Sequence, residues 1–284
     1  TGGKKLRALI TLGTSKLCGY YKGSRDVNFA ACVELIHSAT LMHDDVIDNG
    51  ELRRGKKTLN KIWGNQSSIL IGDYLLSRCF EMMVEDGNLE ILKLLSSTSA
   101  LISQGEILQL QHRGDVDMLE ETYLKIISNK TAALFLAAAK IAPILTEKEN
   151  KYKDALESYG KNLGLTFQIA DDTLDYHSDL NIFGKNIGND FFEGKVTLPI
   201  ILLFQKINEN EKKLLKDFFI KESRTEGDLR KVLLLIKNHN IINECYKKAE
   251  HYINLASNSL NIFQNSTEKD ILKNLTTFSL ERNF

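Results

Sequence analysis

Apolar residues recur at helical spacing along nearly the whole chain. They fall three and four residues apart, as on one face of an α-helix, and neither strand alternation nor a hairpin signal stands out. Proline, which breaks helix interiors, occurs only at Pro143 and Pro199. The pattern predicts an all-α protein without hairpins. The predicted helices cover residues 4–20, 28–48, 66–86, 88–112, 117–128, 130–145, 148–177, 195–207, 211–221, 226–238, 241–262 and 268–281.

Two long loops interrupt this pattern, at residues 49–64 and 177–194, and both contain glycines and lysines. Capping signals mark two helix starts, because Thr146 and Asn208 each stand three residues before a glutamate, as in a capping box. No low-complexity linker separates the helical segments. We therefore expect residues 1–284 to form a single helical domain.

An unusual acidic pattern occurs twice, each time after an apolar helical segment. Asp-Asp-Val-Ile-Asp occupies residues 44–48, and Asp-Asp-Thr-Leu-Asp occupies residues 171–175. Carboxylates repel one another and resist burial. A solvated helix face explains one such cluster, but two of them, each followed by a basic loop, favour a shared cation.

The helical positions of these aspartates indicate which of them act together. The first and third aspartate of each cluster share a helix face, and the middle one is rotated by about 100° into a second role. Hard oxygen ligands favour Mg²⁺, which commonly bridges carboxylates to substrate phosphates. The predicted metal-binding residues are Asp44, Asp45, Asp48, Asp171, Asp172 and Asp175.

Composition excludes several other classes of protein. Lys and Arg total 37, as do Asp and Glu, and this zero net charge argues against a nucleic-acid-binding protein. The four cysteines form no CxxC pair, which is typical of reduced thiols in an intracellular protein. No apolar run reaches the length of a membrane span. We expect a cytoplasmic location, with peripheral membrane contact left open, as is a targeting peptide before Thr1.

Five short motifs occur in a fixed order along the chain. They are Gly2-Gly3-Lys4-Lys5-Leu6-Arg7, residues 41–48 with Arg53-Arg54-Gly55, Lys130-Thr131, residues 168–175, and residues 184–199. Together they resemble the trans-isoprenyl diphosphate synthases, and in particular the long-chain octaprenyl and decaprenyl diphosphate synthases of bacteria. Lys5 stands where the family usually has Arg, which keeps the charge and loses the planar fork. The family's preceding N-terminal helix has no counterpart here, which leaves the details of assembly open.

The resemblance implies an all-α bundle around a central catalytic cavity, the isoprenoid synthase fold, usually as a homodimer. It also implies a prenyltransferase that condenses isopentenyl diphosphate head-to-tail onto an allylic prenyl diphosphate such as farnesyl diphosphate. The allylic diphosphate ionises, the double bond of isopentenyl diphosphate attacks the carbocation, and a proton is lost. The expected product is a long-chain all-trans polyprenyl diphosphate for a quinone side chain, such as that of ubiquinone.

The resemblance also implies a role for each motif residue. Several Mg²⁺ ions on the aspartates would stabilise the departing diphosphate. Isopentenyl diphosphate must not ionise, so it would need a metal-poor basic pocket. The predicted catalytic residues are Asp44, Asp48, Asp171, Lys130, Lys185 and Lys195. The predicted allylic-diphosphate residues are Lys130, Lys185, Lys195, Arg53, Thr131 and Gln168, and those for isopentenyl diphosphate are Lys4, Arg7, His37 and Arg54.

Small residues before the first aspartate cluster bear on product length. Ala39 and Thr40 precede Asp44 by about one helical turn, where bulky aromatics close the tunnel in short-chain members of the family. We therefore expect a product of more than about four isoprene units. Met83 and Leu95 are candidates for a deeper tunnel floor, with ordinary core packing as the alternative.

Fewer residues of this chain support the alternative functions than support a prenyltransferase. Glu34 and His37 form the Glu-x-x-His pair of a di-iron carboxylate bundle, but no other histidine follows a glutamate by three residues. A non-catalytic partner subunit typically has degraded aspartate motifs, and both are intact here. A terpene cyclase does not need a basic pocket for a second diphosphate. Within the family, a geranylgeranyl or other shorter-chain synthase is the main alternative.

Overall fold

The computed structural model of the chain describes residues 5–53, 55–177 and 187–280, and these form helices, one short hairpin and the loops that connect them. Strands β1 (Leu52–Arg53) and β2 (Lys56–Lys57) pair antiparallel. A π-helical turn occupies Ser128–Ala132, and a 3₁₀ turn occupies Leu260–Ile262. The α-helices are α1 (Leu6–Leu17), α2 (Arg25–Ile47), α3 (Leu59–Trp63), α4 (Asn65–Asp86), α5 (Leu89–Gln111), α6 (Glu120–Ile127), α7 (Ala133–Leu145), α8 (Asn150–Leu174), α9 (Asn189–Glu193), α10 (Leu198–Lys206), α11 (Glu209–Ile220), α12 (Glu226–Asn238), α13 (Ile241–Ser259) and α14 (Thr267–Leu280).

The chain divides into two compact units, and the first comprises Thr1–Ala100, Leu134–Gly160 and Ile262–Leu272. Its central helix, α2, packs against α1 and α4. Helices α2 and α4 run antiparallel. At one end Arg25 donates two hydrogen bonds of 2.7 Å to Asp86, and at the other the Ser68 hydroxyl donates to the Met42 carbonyl over 2.9 Å. These contacts fix the register of α2, which carries the first aspartate cluster.

The second unit comprises Leu101–Ala133, Lys161–Asn261 and Lys273–Phe284. Helix α10 is its innermost element, since every residue from Leu198 to Leu203 is buried. It packs against α6, α12 and α13. A helix that is apolar on all sides is stable only inside a core. The segment before α10, which carries Lys195, is therefore anchored by the core of this unit.

Most of the predicted elements are confirmed, including the all-α class and the longer helices. The expectation of no hairpin is wrong, because β1 and β2 lie in the first predicted loop together with α3. The second predicted loop contains α9. The predicted break between the helices at 117–128 and 130–145 is a π-helical turn. Strands of two residues and helices of five are too short to show a hydrophobic period.

The structure confirms one of the two predicted helix caps and contradicts the other. Asn208 is confirmed, because its side chain accepts hydrogen bonds from the backbone of Asn210 and Glu211, and the Glu211 carboxylate accepts one in return. The Thr146 prediction is wrong, since its hydroxyl donates to the Ala142 carbonyl over 2.8 Å at the end of α7. A capping box led by Thr225 starts α12 and was missed, because its third helical residue is aspartate rather than glutamate.

Two general properties complete the fold. All four cysteines are buried and form no disulfide. Among the described helices, none is both long enough and apolar enough to span a bilayer. The single-domain organisation of residues 1–284 stays a prediction.

Candidate active site

The first aspartate cluster ends α2. Asp44 and Asp45 lie in its last turn, and Asp48 follows its last residue. The buried Asp45 carboxylate accepts hydrogen bonds from Arg53 Nε and Nη2, at 3.0 and 2.8 Å. Asn60 donates to the Asp45 carbonyl over 3.0 Å. Asp45 thereby anchors the β1–β2 hairpin and α3, and its charge is balanced by Arg53.

The location of this cluster is electrostatically unfavourable without a cation. The C-terminus of an α-helix carries a partial negative charge, so carboxylates there are destabilising. Arg53 pairs with Asp45, and Asp44 and Asp48 place two further carboxylates at the same helix end. Carboxylate oxygens are the hard donors that Mg²⁺ prefers. The residues at this end of α2 therefore fit a divalent cation.

Gly72 makes room for the histidine beside this cluster. His43 Nε2 lies 3.2 Å from the Ile69 carbonyl and 3.4 Å from Asp73 Oδ1 on α4. A Cβ at Gly72 would lie 2.2 Å from His43 Nε2. The close approach of α4 thus fixes the imidazole that precedes Asp44, which agrees with a structural role for His43.

Two predicted residues for the second diphosphate meet in the first unit. Arg7 Nη1 lies 3.2 Å from His37 Nε2, and the Arg7 guanidinium stacks 4.4 Å from the centroid of the Phe135 ring. Because a guanidinium only donates hydrogen bonds, His37 Nε2 is the acceptor and the imidazole is neutral in this arrangement. Glu34 accepts a hydrogen bond from the Ala8 backbone, so both members of the Glu-x-x-His pair bind α1.

Lys130 is held by a π-helical turn and by α5. Its Nζ donates to Gln109 Oε1 over 2.7 Å and forms an ion pair with the buried Glu106. A Cβ at Gly105 would lie 2.6 Å from the Lys130 backbone nitrogen. Glycine therefore allows α5 to approach a turn of a kind that often marks functional sites. Glu106 and Gln109 were missed, because only their distance from Lys130 in space gives them a role.

The second aspartate cluster ends α8, and its middle member is buried. Asp172 accepts hydrogen bonds of 2.7 Å from the Tyr123 hydroxyl and from the Gln168 amide. Thr131 donates to the Gln168 carbonyl oxygen over 2.6 Å. The sequence did not indicate a role for Tyr123 in the site, because a tyrosine in an apolar helix is typical of core packing. The structure thus joins two predicted substrate residues, Thr131 and Gln168, to a predicted metal residue.

Asp175 follows the last residue of α8 and supports the start of α9. Its two carboxylate oxygens accept hydrogen bonds from the backbone nitrogens of Asn189 and Asp190, at 3.1 and 2.9 Å. The Asp190 carbonyl in turn accepts from the Lys195 backbone over 2.8 Å, and Lys195 Nζ pairs with Glu193 at 2.6 Å. Asp175 therefore helps to place Lys195.

Negative charge accumulates in the second unit. Burial raises the pKa of Asp172, Asp175 and Asp190 above the ordinary value. Hydrogen bonds from Tyr123 and Gln168 lower the pKa of Asp172 and so offset part of this, whereas the neighbouring carboxylates raise it further. Mutual repulsion of this kind is relieved by a cation.

These observations fit a Mg²⁺ site in which the protein supplies only some of the metal ligands. Across residues 5–53, 55–177 and 187–280, no three His, Cys, Asp or Glu side chains form a ready-made metal cluster. Mg²⁺ usually takes only one or two carboxylates from a protein and completes its octahedron with phosphate and water. The predicted residues Lys4, Arg54 and Lys185 lie outside the described residues.

A family model described as "Polyprenyl synthetase" matches residues 1–236. The chain belongs to the polyprenyl synthetase family. The all-trans-nonaprenyl-diphosphate synthase (geranyl-diphosphate specific) of Rhodobacter capsulatus is 38% identical over 281 residues, which are 99% of this chain and 86% of that relative. The predicted resemblance and the prediction of a prenyltransferase are therefore confirmed.

Two crystal structures place this polyprenyl synthetase in the all-α isoprenoid synthase fold. A decaprenyl diphosphate synthase from Rhodobacter capsulatus superposes with a TM-score of 0.95 at 38% identity, covering 99% of this chain and 86% of that one. A polyprenyl synthase from Caulobacter crescentus, complexed with calcium and isoprenyl diphosphate, gives a TM-score of 0.94 at 38% identity, covering 100% and 86%. The predicted fold class is confirmed, while the roles of individual site residues stay predictions.

Adding one methyl group at Gly105 tests how tightly α5 and the π-helical turn are matched. Gly105→Ala should lower the free energy of unfolding by about 1–3 kcal/mol, because the new Cβ overlaps the Lys130 backbone. Urea denaturation measures this change. The matched control is Gly227→Ala in α12, where the nearest heavy atom lies 3.6 Å away and the free energy of unfolding should stay equal or rise. Equal stability of wild type and Gly105→Ala would contradict the close approach.

Proposed function

We propose that this polyprenyl synthetase condenses isopentenyl diphosphate head-to-tail onto an allylic prenyl diphosphate such as farnesyl diphosphate. The product is a long-chain all-trans polyprenyl diphosphate for a quinone side chain such as that of ubiquinone. The observation that carries this proposal is 38% identity to a nonaprenyl diphosphate synthase over nearly the whole chain, with both aspartate clusters intact. The structural similarity to a decaprenyl diphosphate synthase supports the same product class.

The allylic diphosphate is bound through the two aspartate clusters. Asp44, Asp48 and Asp171 hold Mg²⁺, with Asp175 in a supporting position. Asp45 and Asp172 act by positioning, because Arg53 pairs with the first, and Tyr123 and Gln168 donate to the second. When bound, Mg²⁺ stabilises the departing diphosphate as a Lewis acid. The Caulobacter relative, complexed with calcium and isoprenyl diphosphate, supports a divalent cation here.

Basic residues complete the contacts to the allylic diphosphate. Lys130 pairs with Glu106, Lys195 with Glu193, and Arg53 with Asp45, so each cation is already oriented by an acidic partner. A diphosphate carries more charge than one carboxylate and competes for these donors. Thr131 and Gln168 add uncharged hydrogen bonds, and Lys185 is proposed for the same group.

Isopentenyl diphosphate binds a separate basic group that lacks aspartates. Arg7 and His37 are in contact in the first unit, and Lys4 and Arg54 are proposed to join them. Stacking on Phe135 fixes the plane of the Arg7 guanidinium, which favours bidentate contact with phosphate. Because these basic residues do not include metal-binding aspartates, they are proposed to bind isopentenyl diphosphate without promoting its ionisation. The inorganic diphosphate released from the allylic substrate is the proposed proton acceptor.

A cytoplasmic location is proposed on the state of the thiols. Cys18, Cys32, Cys79 and Cys245 are all buried and unpaired in disulfides, as in proteins of reducing compartments. A long apolar product favours peripheral contact with a membrane during its release.

Removing one metal-binding carboxylate tests the proposed chemistry directly. With farnesyl diphosphate, labelled isopentenyl diphosphate and Mg²⁺, wild type should make products that chromatography sizes above four isoprene units. Asp44→Ala and Asp171→Ala should each lower kcat by about a hundredfold or more, since charge stabilisation of this kind is worth that much. Asp154→Ala, at an exposed position of α8, is the control and should stay fully active. Full turnover by Asp44→Ala or Asp171→Ala would refute the metal role.

Filling the space before the first cluster tests the proposed product length. Ala39 is fully buried on α2, one turn before Asp44. Met83 on α4 lies between Cys79, which contacts Cys32, and Asp86, which contacts Arg25, so it sits beside the N-terminal part of α2. This position is consistent with a deeper floor.

Ala39→Phe should shorten the main product, because the aromatic ring blocks growth along α2. Thin-layer or reversed-phase chromatography of the dephosphorylated products measures the length. Ala31→Phe, at an exposed position of α2, should leave it unchanged. An active Ala39→Phe enzyme with the wild-type product would place the growing chain elsewhere.

A homodimer is proposed on the surface of α4. The buried face of α4 carries only Ser68, Gly72, Cys79 and Met83, while Leu70, Tyr74 and Val84 are each about two-thirds exposed, at 67%, 66% and 65%. A helix with its large apolar side chains facing solvent marks an interaction surface.

Charges on this surface should separate the subunits. The double substitution Leu70→Glu with Tyr74→Glu should convert a dimer into a monomer, because it places two carboxylates in an apolar interface. Size-exclusion chromatography with light scattering measures the mass. Leu89→Glu, at an exposed leucine outside α4, should remain dimeric. A monomeric wild type, or a dimeric double variant, would exclude this interface.

A further inference from the structure

Tyr123 begins a chain of three hydrogen bonds that ends at Thr131. Its hydroxyl donates to Asp172 Oδ2 over 2.7 Å. Asp172 Oδ1 accepts from the Gln168 amide over 2.7 Å, and Gln168 Oε1 accepts from the Thr131 hydroxyl over 2.6 Å. All four residues lie in the second unit. These hydrogen bonds connect α6, the π-helical turn and α8.

The direction of each hydrogen bond in this chain is determined. A carboxylate only accepts, so the NH₂ group of Gln168 must face Asp172 and its carbonyl oxygen must face Thr131. Tyr123 supplies the donor for the other carboxylate oxygen of Asp172. Without that hydroxyl, the hydrogen bond from the Gln168 amide remains to orient the Asp172 carboxylate. The amide orientation therefore depends on how firmly Asp172 is held.

Burial prevents water from easily replacing the tyrosine hydroxyl. Tyr123 is 2% exposed and Asp172 is 5% exposed. A hydrogen bond to a charged group is worth more than a neutral one, and a buried acceptor that loses its donor keeps the full desolvation cost. Both donors to Asp172 are uncharged, whereas Asp45 in the first cluster pairs with Arg53. Tyr123 thus orients Asp172 without adding a positive charge beside Asp171.

The two ends of the chain fix one segment against α8. Helix α6 runs directly into the π-helical turn that carries Lys130 and Thr131. Tyr123 binds α8 before the turn, and Thr131 binds α8 within it. Lys130 therefore lies between two points of attachment. Its backbone position relative to Asp171 depends on both.

We propose that Tyr123 is a positioning residue for prenyl transfer, whose hydroxyl acts through Asp172 to orient Gln168, Thr131 and Lys130 toward the allylic diphosphate. This inference rests on the proposed function, because it assigns these groups to allylic diphosphate binding. It is restricted to the allylic substrate, because Gln168, Thr131 and Lys130 are proposed to bind that substrate alone.

Tyr123→Phe removes only the hydroxyl and tests the inference by binding. Titration calorimetry with farnesyl diphosphate and Mg²⁺, without isopentenyl diphosphate, should show Kd raised by about tenfold. The KM for farnesyl diphosphate should rise in parallel, and the KM for isopentenyl diphosphate should stay unchanged. Tyr159→Phe is the matched control, because that buried hydroxyl donates to the Leu272 carbonyl over 2.9 Å and touches no aspartate. Its Kd should equal that of wild type.

A double-mutant cycle identifies the route through Asp172. In an Asp172→Asn background, Tyr123→Phe should change the Kd by less than about twofold, because the group it acts through has been altered. An undiminished tenfold effect in that background would overturn the assigned route. Should Tyr123→Phe fail to fold, Thr131→Val opens the same chain at its other end and should raise the Kd similarly. An unchanged Kd in that variant would overturn the inference.

The outcomes also separate this inference from the function on which it rests. A wild-type enzyme that extends farnesyl diphosphate, combined with a folded Tyr123→Phe variant of unchanged Kd, would refute only the role of Tyr123. A wild-type enzyme that binds farnesyl diphosphate but never extends it would refute the proposed function instead.

Discussion

Repulsion among the carboxylates at the end of α2, and likewise among those at the end of α8, is the constraint on which the rest of this protein depends. Each helix ends with three aspartates within five residues. Like charges resist such proximity, and the partial negative charge of a helix C-terminus adds to the cost. Burial raises the pKa of Asp172 and Asp175, and repulsion from neighbouring carboxylates raises it further. We propose that a cation shared with a diphosphate relieves this repulsion.

The two helix ends meet this constraint in different ways. In the first unit, Arg53 pairs with the middle aspartate and fixes a hairpin over the end of α2. In the second unit, neutral donors from Tyr123 and Gln168 hold the middle aspartate, and Asp175 accepts from the backbone at the start of α9. The middle aspartate is therefore paired with a cation in the first unit and with neutral donors in the second. We infer that the second end contributes to cation binding, while the first end also orders a basic loop.

Sequence patterns predicted the long helices well because each buries a stripe of regularly spaced apolar residues. The hairpin, α3 and α9 were missed because they are too short for any period to show. Thr146 matched a capping pattern, yet its hydroxyl bonds back to Ala142, since the same hydroxyl can end a helix or begin one. Local signals thus predict long elements and misjudge their boundaries.

In the candidate site, too, some residues could be predicted from the sequence and others could not. The aspartates and the Lys130-Thr131 pair were found because they lie in motifs. Tyr123, Glu106 and Gln109 support them from α5 and α6, and nothing in their local sequence separates them from ordinary helix residues. Gly105 matters only because α5 passes close to the Lys130 backbone. Such contacts depend on packing between elements distant in sequence, which a motif does not encode.

The central proposal is that each aspartate cluster holds a divalent cation that also binds a diphosphate. The most direct test is a crystal structure of this chain with Mg²⁺ and a thiodiphosphate analogue of farnesyl diphosphate, which resists ionisation. The account predicts that Asp44, Asp48 and Asp171 ligate ions that also bind the diphosphate oxygens. A bound analogue whose diphosphate is held by basic residues alone, with these carboxylates turned to solvent, would contradict it.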